Sequence, residues 1–189
     1  LQSWSAARLG GNITISPLSF FEELDGVSPV VLELSSFQLG DLSKSNSWVP
    51  GKGLKAFPPR IAVMTNIFHD HQDYYGAMEP YLADKAVLFQ DQPAEADALF
   101  RADDPYGLAF ASTCRSRKWM SDSRPGHGLA EGSRGAWLDA EGRGWFTDGS
   151  LVEEILPRDL VLPGQHHRGN LLQAGLALRI FGVSADEIR

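Results

Sequence analysis

Cysteine is nearly absent. Cys114 stands alone among 189 residues, so no internal disulfide framework can form, and a reducing compartment suits the chain. Long apolar runs are missing too; none approaches the roughly 20 residues of a membrane-spanning helix, so no membrane partner is expected. Positive charge is in deficit: Lys+Arg 17 against Asp+Glu 24 gives a formal net charge of −7. That balance argues against a broad phosphate-binding surface and against nucleic acid as the main partner. The N-terminus has neither a starting Met nor the charged-then-apolar pattern of a secretory signal, and a cytoplasmic location is expected. Internal repeats and low-complexity tracts are lacking. What remains is ordinary globular composition, 43% hydrophobic and 22% charged. A compact chain of this size buries about 70% of the surface it exposes unfolded, as one large domain or two small ones.

Residues 1–11 read as the last turns of a helix closing on Gly10 or Gly11. At the other end, Ser184 followed by Glu187 is a capping box that opens a helix only one turn long. Both ends are therefore expected to be interior points of a longer protein; a frayed natural C-terminus is the other reading. Residues 28–34 (Ser-Pro-Val-Val-Leu-Glu-Leu) and 60–67 (Arg-Ile-Ala-Val-Met-Thr-Asn-Ile) predict strands buried on both faces, as in a parallel sheet. Residues 43–59, rich in Ser, Gly, Lys and Pro, read as a loop.

Met78, Leu82, Lys85 and Phe89 predict a helix over 75–89, with Pro80 in or near its first turn. Residues 98–101 read as a strand and Ala102-Asp-Asp-Pro105 as a turn. Residues 114–135 carry little periodic signal. Residues 135–148 predict a hairpin, and an Ala/Leu helix over about 171–181 closes on Gly182. Strands alternating with helices, plus one local hairpin, make this an α/β chain with a mainly parallel sheet.

Ligands of open parallel sheets collect at the carboxyl ends of the strands. Glu33 ends the first predicted strand. It is either a functional carboxylate or a solvated glutamate at the strand mouth. The second strand runs into His69, Asp70, His71 and Asp73. Two readings stand, a metal or acid/base cluster and a polar turn with Asp73 capping the next helix. Oxygen ligands with imidazole favour Mg²⁺ or Mn²⁺ over structural zinc. Lys85 by itself reads as a solvated helix face. His166-His167-Arg168-Gly169-Asn170 caps a helix or meets an anion at its positive end, and His127 reads as a loop residue.

Six segments in order carry a resemblance: Gly10-Gly-Asn-Ile13, Glu33-Leu-Ser-Ser-Phe-Gln-Leu39, Thr65-Asn-Ile-Phe-His-Asp-His-Gln-Asp-Tyr74, Tyr81-Leu-Ala-Asp-Lys85, Ala102-Asp-Asp-Pro105 and Leu162-Pro-Gly-Gln-His-His-Arg-Gly-Asn170. Together they resemble the Mur ligases, and among these the members that join D-glutamate to UDP-N-acetylmuramoyl-L-alanine. Glu-Leu-Ser-Ser-Phe-Gln-Leu is the most discriminating piece.

The resemblance implies a P-loop NTPase-like central domain of a three-domain cytoplasmic enzyme, monomeric at full length. It implies that the phosphate loop, the UDP-binding N-terminal domain and the C-terminal domain lie outside these residues, and that the chain alone is inactive. It implies ATP-dependent chemistry in peptidoglycan precursor synthesis: a substrate carboxylate takes the γ-phosphate, and the amine of D-glutamate displaces phosphate from the acyl phosphate. By resemblance, Glu33 and His71 hold Mg²⁺, and Lys85 is carbamylated to ligand a second ion, with His71 and Lys85 as catalytic residues. Asn12, Ser35 and Gln38 face the muramoyl substrate, while Asn170 and His167 contact the nucleotide.

The chain departs from the family pattern at His167, where Asn is common, at His69, and at Arg101, where Asn is usual. Two other readings stand beside this one. A folylpolyglutamate-synthase-like ligase shares the fold, although Ser-Ser-Phe-Gln-Leu argues against it. A non-catalytic module would keep the sheet without the phosphate loop.

Overall fold

The computed structural model describes residues 7–12, 15–44, 58–160 and 165–189. They fall into two units, one drawn from residues 1–55 and 75–87, the other from 56–74 and 88–189.

In the first unit β1 (Arg8–Gly11) and β2 (Val30–Glu33) pair in parallel, with Gly11 opposite Glu33. A 3-10 helix (Pro17–Glu23) lies between them in sequence, started by Ser16, whose side chain accepts the Leu18 N–H. β1 overturns the helix end expected over residues 8–11; residues 1–6 lie outside the described residues. A glycine closing an apolar stretch suggests a helix C-cap, but Gly11 has φ 114 for another reason. A Cβ there would stand 2.0 Å from the Glu33 carbonyl oxygen, so only glycine lets the two strands close up.

The parallel pairing of β2 was expected, but its burial was not. Val30 and Val31 are 39% and 57% exposed, because two strands alone leave the sheet faces largely uncovered. Helix α1 (Ser36–Lys44) follows β2 directly. The predicted loop over 43–59 thus starts inside a helix, and residues 45–57 lie outside the described residues.

The helix expected over 75–89 is two helices, α2 (Gln72–Tyr75) and α3 (Met78–Gln90), with Pro80 in the first turn of α3. In the first unit Tyr75 stacks on Phe37 of α1, with centroids 5.6 Å apart, and meets Tyr81 of α3 edge-on at 5.4 Å. The Tyr75 hydroxyl donates to Asp84 Oδ2 at 3.0 Å, and Asp84 lies so close to Gly40 that a Cβ there would stand 2.3 Å from that oxygen.

The second unit is a six-stranded sheet in sequential order: β3 (Ile61–Val63), β4 (Asp97–Arg101), β5 (Arg117–Asp122), β6 (Gly135–Leu138), β7 (Gly144–Thr147) and β8 (Val152–Leu156). β3 to β6 run parallel, and β7 and β8 continue antiparallel, so the expected hairpin is β6–β7. Leu99, Trp119, Leu138, Phe146 and Ile155 on one face bury against Leu172 and Leu176 of α5 (Gln165–Phe181). Side chains alternate along β4, so Phe100 points the other way, edge-on to Phe89 of α3 with centroids 5.1 Å apart. Phe110 of α4 (Pro105–Thr113) meets the same Phe89 ring at 5.0 Å.

The second unit is therefore a sheet between two helical layers. The expected mainly parallel α/β architecture with a local hairpin is present. Three elements carried no usable signal. Arg117 and Lys118 hide the start of β5 and two glutamates interrupt β8, while α4 lacks the amphipathic spacing that would mark it. Helix α5 starts six residues earlier than expected and ends on Gly182, φ 110, as expected. The capping box of α6 (Ala185–Ile188) forms: Glu187 N–H donates to Ser184 Oγ, and Ser184 N–H donates to Glu187 Oε2. No helix among the described residues is long and apolar enough to cross a membrane.

Candidate functional site

In the first unit the carboxyl ends of β1 and β2 put Asn12 beside Glu33. The Asn12 backbone N–H donates to the Glu33 carbonyl at 2.7 Å, and its side-chain Nδ2 donates to Glu33 Oε1 at 3.3 Å. Glu33 is exposed, so its charge carries no burial penalty and the carboxylate is accessible.

Ser35 and Gln38 form a capping box for α1. Gln38 N–H donates to Ser35 Oγ at 3.3 Å, while Ser35 N–H and Ser35 Oγ both donate to Gln38 Oε1, at 2.9 and 3.1 Å. The sequence does carry the Ser-x-x-Gln spacing that makes this box, although substrate contact was the expectation for both residues. Two residues that resemblance assigns to a substrate thus use most of their polar atoms to start a helix, leaving Gln38 Nε2 as a donor.

Lys85 is half-buried, with Nζ 5.0 Å from the centroid of the buried Tyr81 ring. The solvated-face reading of Lys85 does not describe it. Its ammonium rests against the negative face of an aromatic ring.

The second unit carries the other residues. The chain leaves β3 as an irregular segment, 64–71, that ends at His71. Met64 N–H donates to the Leu99 carbonyl at 3.0 Å, and Ile67 N–H donates to Asp104 Oδ2 at 3.0 Å. His71 is the one non-glycine among the described residues with positive φ, 53°. Such a backbone costs on the order of 1 kcal/mol and collects at functional sites. Asp70 Oδ1 accepts the His71 N–H at 2.8 Å, and Asp70 Oδ2 lies 3.5 Å from His71 Nε2. The expected capping role of Asp73 is therefore corrected. Asp73 lies inside the first turn of α2, and the carboxylate that takes the N–H before this helix is Asp70. His69 is exposed. Among the described residues no group of three or more His, Cys, Asp or Glu is assembled as a metal site.

His167 and Asn170 are both exposed in the first turns of α5. The intervening Arg168 is structural, donating to the carbonyls of Gly142 (2.6 Å), Pro157 (2.6 Å), Arg158 (2.8 Å) and Leu160 (3.4 Å). Placement of the His166 side chain lies outside the described residues. His127 is an exposed turn residue, as expected.

Arg101, unexplained from sequence, has a clear place at the carboxyl end of β4. Its Nε and Nη2 donate to the two carboxylate oxygens of Asp103 at 2.7 and 2.6 Å, and Nη2 also reaches Ser123 Oγ. Burial pushes the Asp103 carboxyl up, but hydrogen bonds from Arg101 and Ser123 outweigh it and hold the group below the ordinary carboxylate range. Gly169 of α5 sits against this cluster, where a Cβ would stand 3.0 Å from Ser123 Cβ.

Comparison with known proteins bears on these positions. The model of the Mur ligase middle domain matches residues 11–178. A UDP-N-acetylmuramoylalanine–D-glutamate ligase of Treponema pallidum is 36% identical over 93% of the chain and 35% of its own length. The ligase of the same name from Geobacillus kaustophilus is 36% identical over 96% of the chain and 36% of its own length. The chain thus spans about a third of these relatives.

Among solved structures, a MurF ligase of Thermotoga maritima in complex with ADP aligns with TM-score 0.59 at 16% identity, covering 95% of this chain and 40% of that one. An Acinetobacter baumannii UDP-N-acetylmuramoylalanyl-D-glutamyl-2,6-diaminopimelate–D-alanyl-D-alanyl ligase aligns equally well at 12% identity, covering 96% and 44%. These two speak for the fold alone. With its family model matched over residues 11–178 and relatives above 30% identity along nearly its whole length, the chain belongs to the Mur ligase family.

Proposed function

We propose that this chain is the central part of an ATP-dependent ligase that joins D-glutamate to UDP-N-acetylmuramoyl-L-alanine in peptidoglycan precursor synthesis, with the remaining domains supplied by the full-length protein. One observation carries the reading. Relatives at 36% identity over more than nine-tenths of the chain bear the name of that ligase. The ADP held by the MurF neighbour supports nucleotide binding by the same fold.

The donor types suit a hard divalent cation: a carboxylate at Glu33 and an imidazole at His71. These two residues would hold Mg²⁺ or Mn²⁺, and a carbamate on Lys85 would add oxygen donors. The bound ion supplies neutralisation of phosphate charge. Asn12 fixes the Glu33 carboxylate through its Nδ2, and the left-handed backbone at His71 sets that imidazole in advance of binding. Gln38 Nε2 donates to the muramoyl substrate while its oxygen holds the start of α1. His167 and Asn170 flank the nucleotide at the positive end of α5.

The test is phosphate release by the full-length protein with ATP and UDP-N-acetylmuramoyl-L-alanine. Release that depends on D-glutamate supports the reading. Release that depends on a folate acceptor would transfer it to the folylpolyglutamate-synthase-like class, and no release with any acid acceptor would favour a non-catalytic module.

A further inference from the structure

The segment 64–71 has no helix or strand of its own, yet two buried side chains grip its backbone. Gln173 of α5, 2% exposed, donates Nε2 to the Met64 carbonyl oxygen at 3.0 Å. Asp104, 8% exposed, accepts the Ile67 N–H on Oδ2 at 3.0 Å. The second oxygen of Asp104, Oδ1, accepts the Tyr106 N–H at 2.9 Å and caps α4. One carboxylate thus starts a helix and holds the segment, using a different oxygen for each. The two grips come from opposite helical layers, α5 on the Leu99 face and the α4 layer on the Phe100 face. Met64 and Ile67 are themselves buried, so only three residues separate the last anchored position from the strained His71.

A residue kept only for packing would be apolar at position 173, between Leu172 and Leu176 in the core. Gln173 Oε1 has no hydrogen-bond partner among the described residues, so the amide is poorly used as a stabiliser. Its effective contact is the one to Met64.

We infer that Asp104 and Gln173 are positioning residues that set the course of residues 64–71 and thereby the orientation of the His71 imidazole. Outer partners of this kind commonly tune metal affinity without touching the metal. The inference rests on the metal role proposed for His71, and the experiment separates the two.

The variants are Asp104→Ser and Gln173→Met in the full-length protein. Serine keeps an N-cap oxygen for Tyr106 but has no second oxygen for Ile67. Methionine keeps the volume and removes the donor to Met64. Metal-free hydrogen exchange over residues 64–71, Mn²⁺ affinity by electron paramagnetic resonance, and thermal unfolding are measured for each, with His71→Ala as the control. The expected result is faster exchange at 64–71 and Mn²⁺ binding weakened by about tenfold, with the unfolding midpoint little changed.

Unchanged exchange in both variants overturns the inference. So does faster exchange with wild-type Mn²⁺ affinity, if His71→Ala weakens binding. Should His71→Ala leave Mn²⁺ binding intact, the metal reading is what fails, and the exchange arm alone decides the positioning. If Asp104→Ser does not fold, Gln173→Met carries the same test.

Discussion

Arg101 holds Asp103 by both carboxylate oxygens, through Nε at 2.7 Å and Nη2 at 2.6 Å, at the carboxyl end of β4. Both side chains are largely buried, so the pair is shielded from solvent. Asp103→Asn is expected to cost on the order of 2 kcal/mol near neutrality, since hydrogen bonds to a charged group are the stronger kind. The Asp103 carboxyl is depressed in the folded state, so its contribution is present above the ordinary value of 3.8 and is lost as pH falls through the lowered folded value. Denaturant unfolding of wild type and Asp103→Asn should differ most at neutral pH and converge in acid. A gap that persists unchanged into acid would show that the carboxyl is not depressed.

Glu33→Ala and His71→Ala in the full-length protein are each expected to lower kcat roughly 100-fold or more, because each removes a proposed metal donor rather than a packing contact. His71 adds a stability signature. With φ 53 at this position, His71→Gly should be more stable than His71→Ala by about 1 kcal/mol, while both lose activity. Steady-state turnover at saturating Mg²⁺ and urea unfolding read the two effects separately. Wild-type turnover in either alanine variant contradicts the metal assignment.

Lys85→Ala should be nearly inactive and partly rescued by millimolar acetate or formate standing in for a carbamate. The Tyr81 ring gives the lysine a measurable resting place: loss of the cation over that face costs about 0.5–1 kcal/mol. Carbamylation replaces the cation with an anion, which the ring face repels, so the modified side chain must leave Tyr81. Tyr81→Leu is therefore expected to keep activity while losing a little stability. Full activity of Lys85→Ala without added carboxylate would rule out the carbamate.

Gly11→Ala should disturb the Glu33 end of β2 from the neighbouring strand. Its φ of 114 and the Glu33 carbonyl 2.0 Å from any Cβ make the site intolerant, with an expected loss of at least about 2 kcal/mol. The apparent Mg²⁺ requirement of the full-length protein should rise with it, since Asn12 and Glu33 are then displaced together. Unaltered unfolding in Gly11→Ala would contradict the close approach of β1 and β2.

Features built from neighbours in the chain are legible in the order of residues alone. The alternation of strands and helices, the β6–β7 hairpin, the Gly182 stop of α5 and the Ser184–Glu187 box all arise within a few residues, where spacing is the physical cause. Ordered motifs also placed Glu33, His71 and Lys85 among the residues of interest. Contacts between distant segments left no such trace. Gly11 looks like a helix stop until β2 is laid beside it. The Gln173 amide reaches a carbonyl 109 residues away, which no local period can encode. Sequence alone determined the alternating α/β pattern, the β6–β7 hairpin and which polar side chains were available. Tertiary structure decided which backbone atoms those side chains hold, because hydrogen bonds across the fold depend on the packing of strands and helices that are remote in the chain.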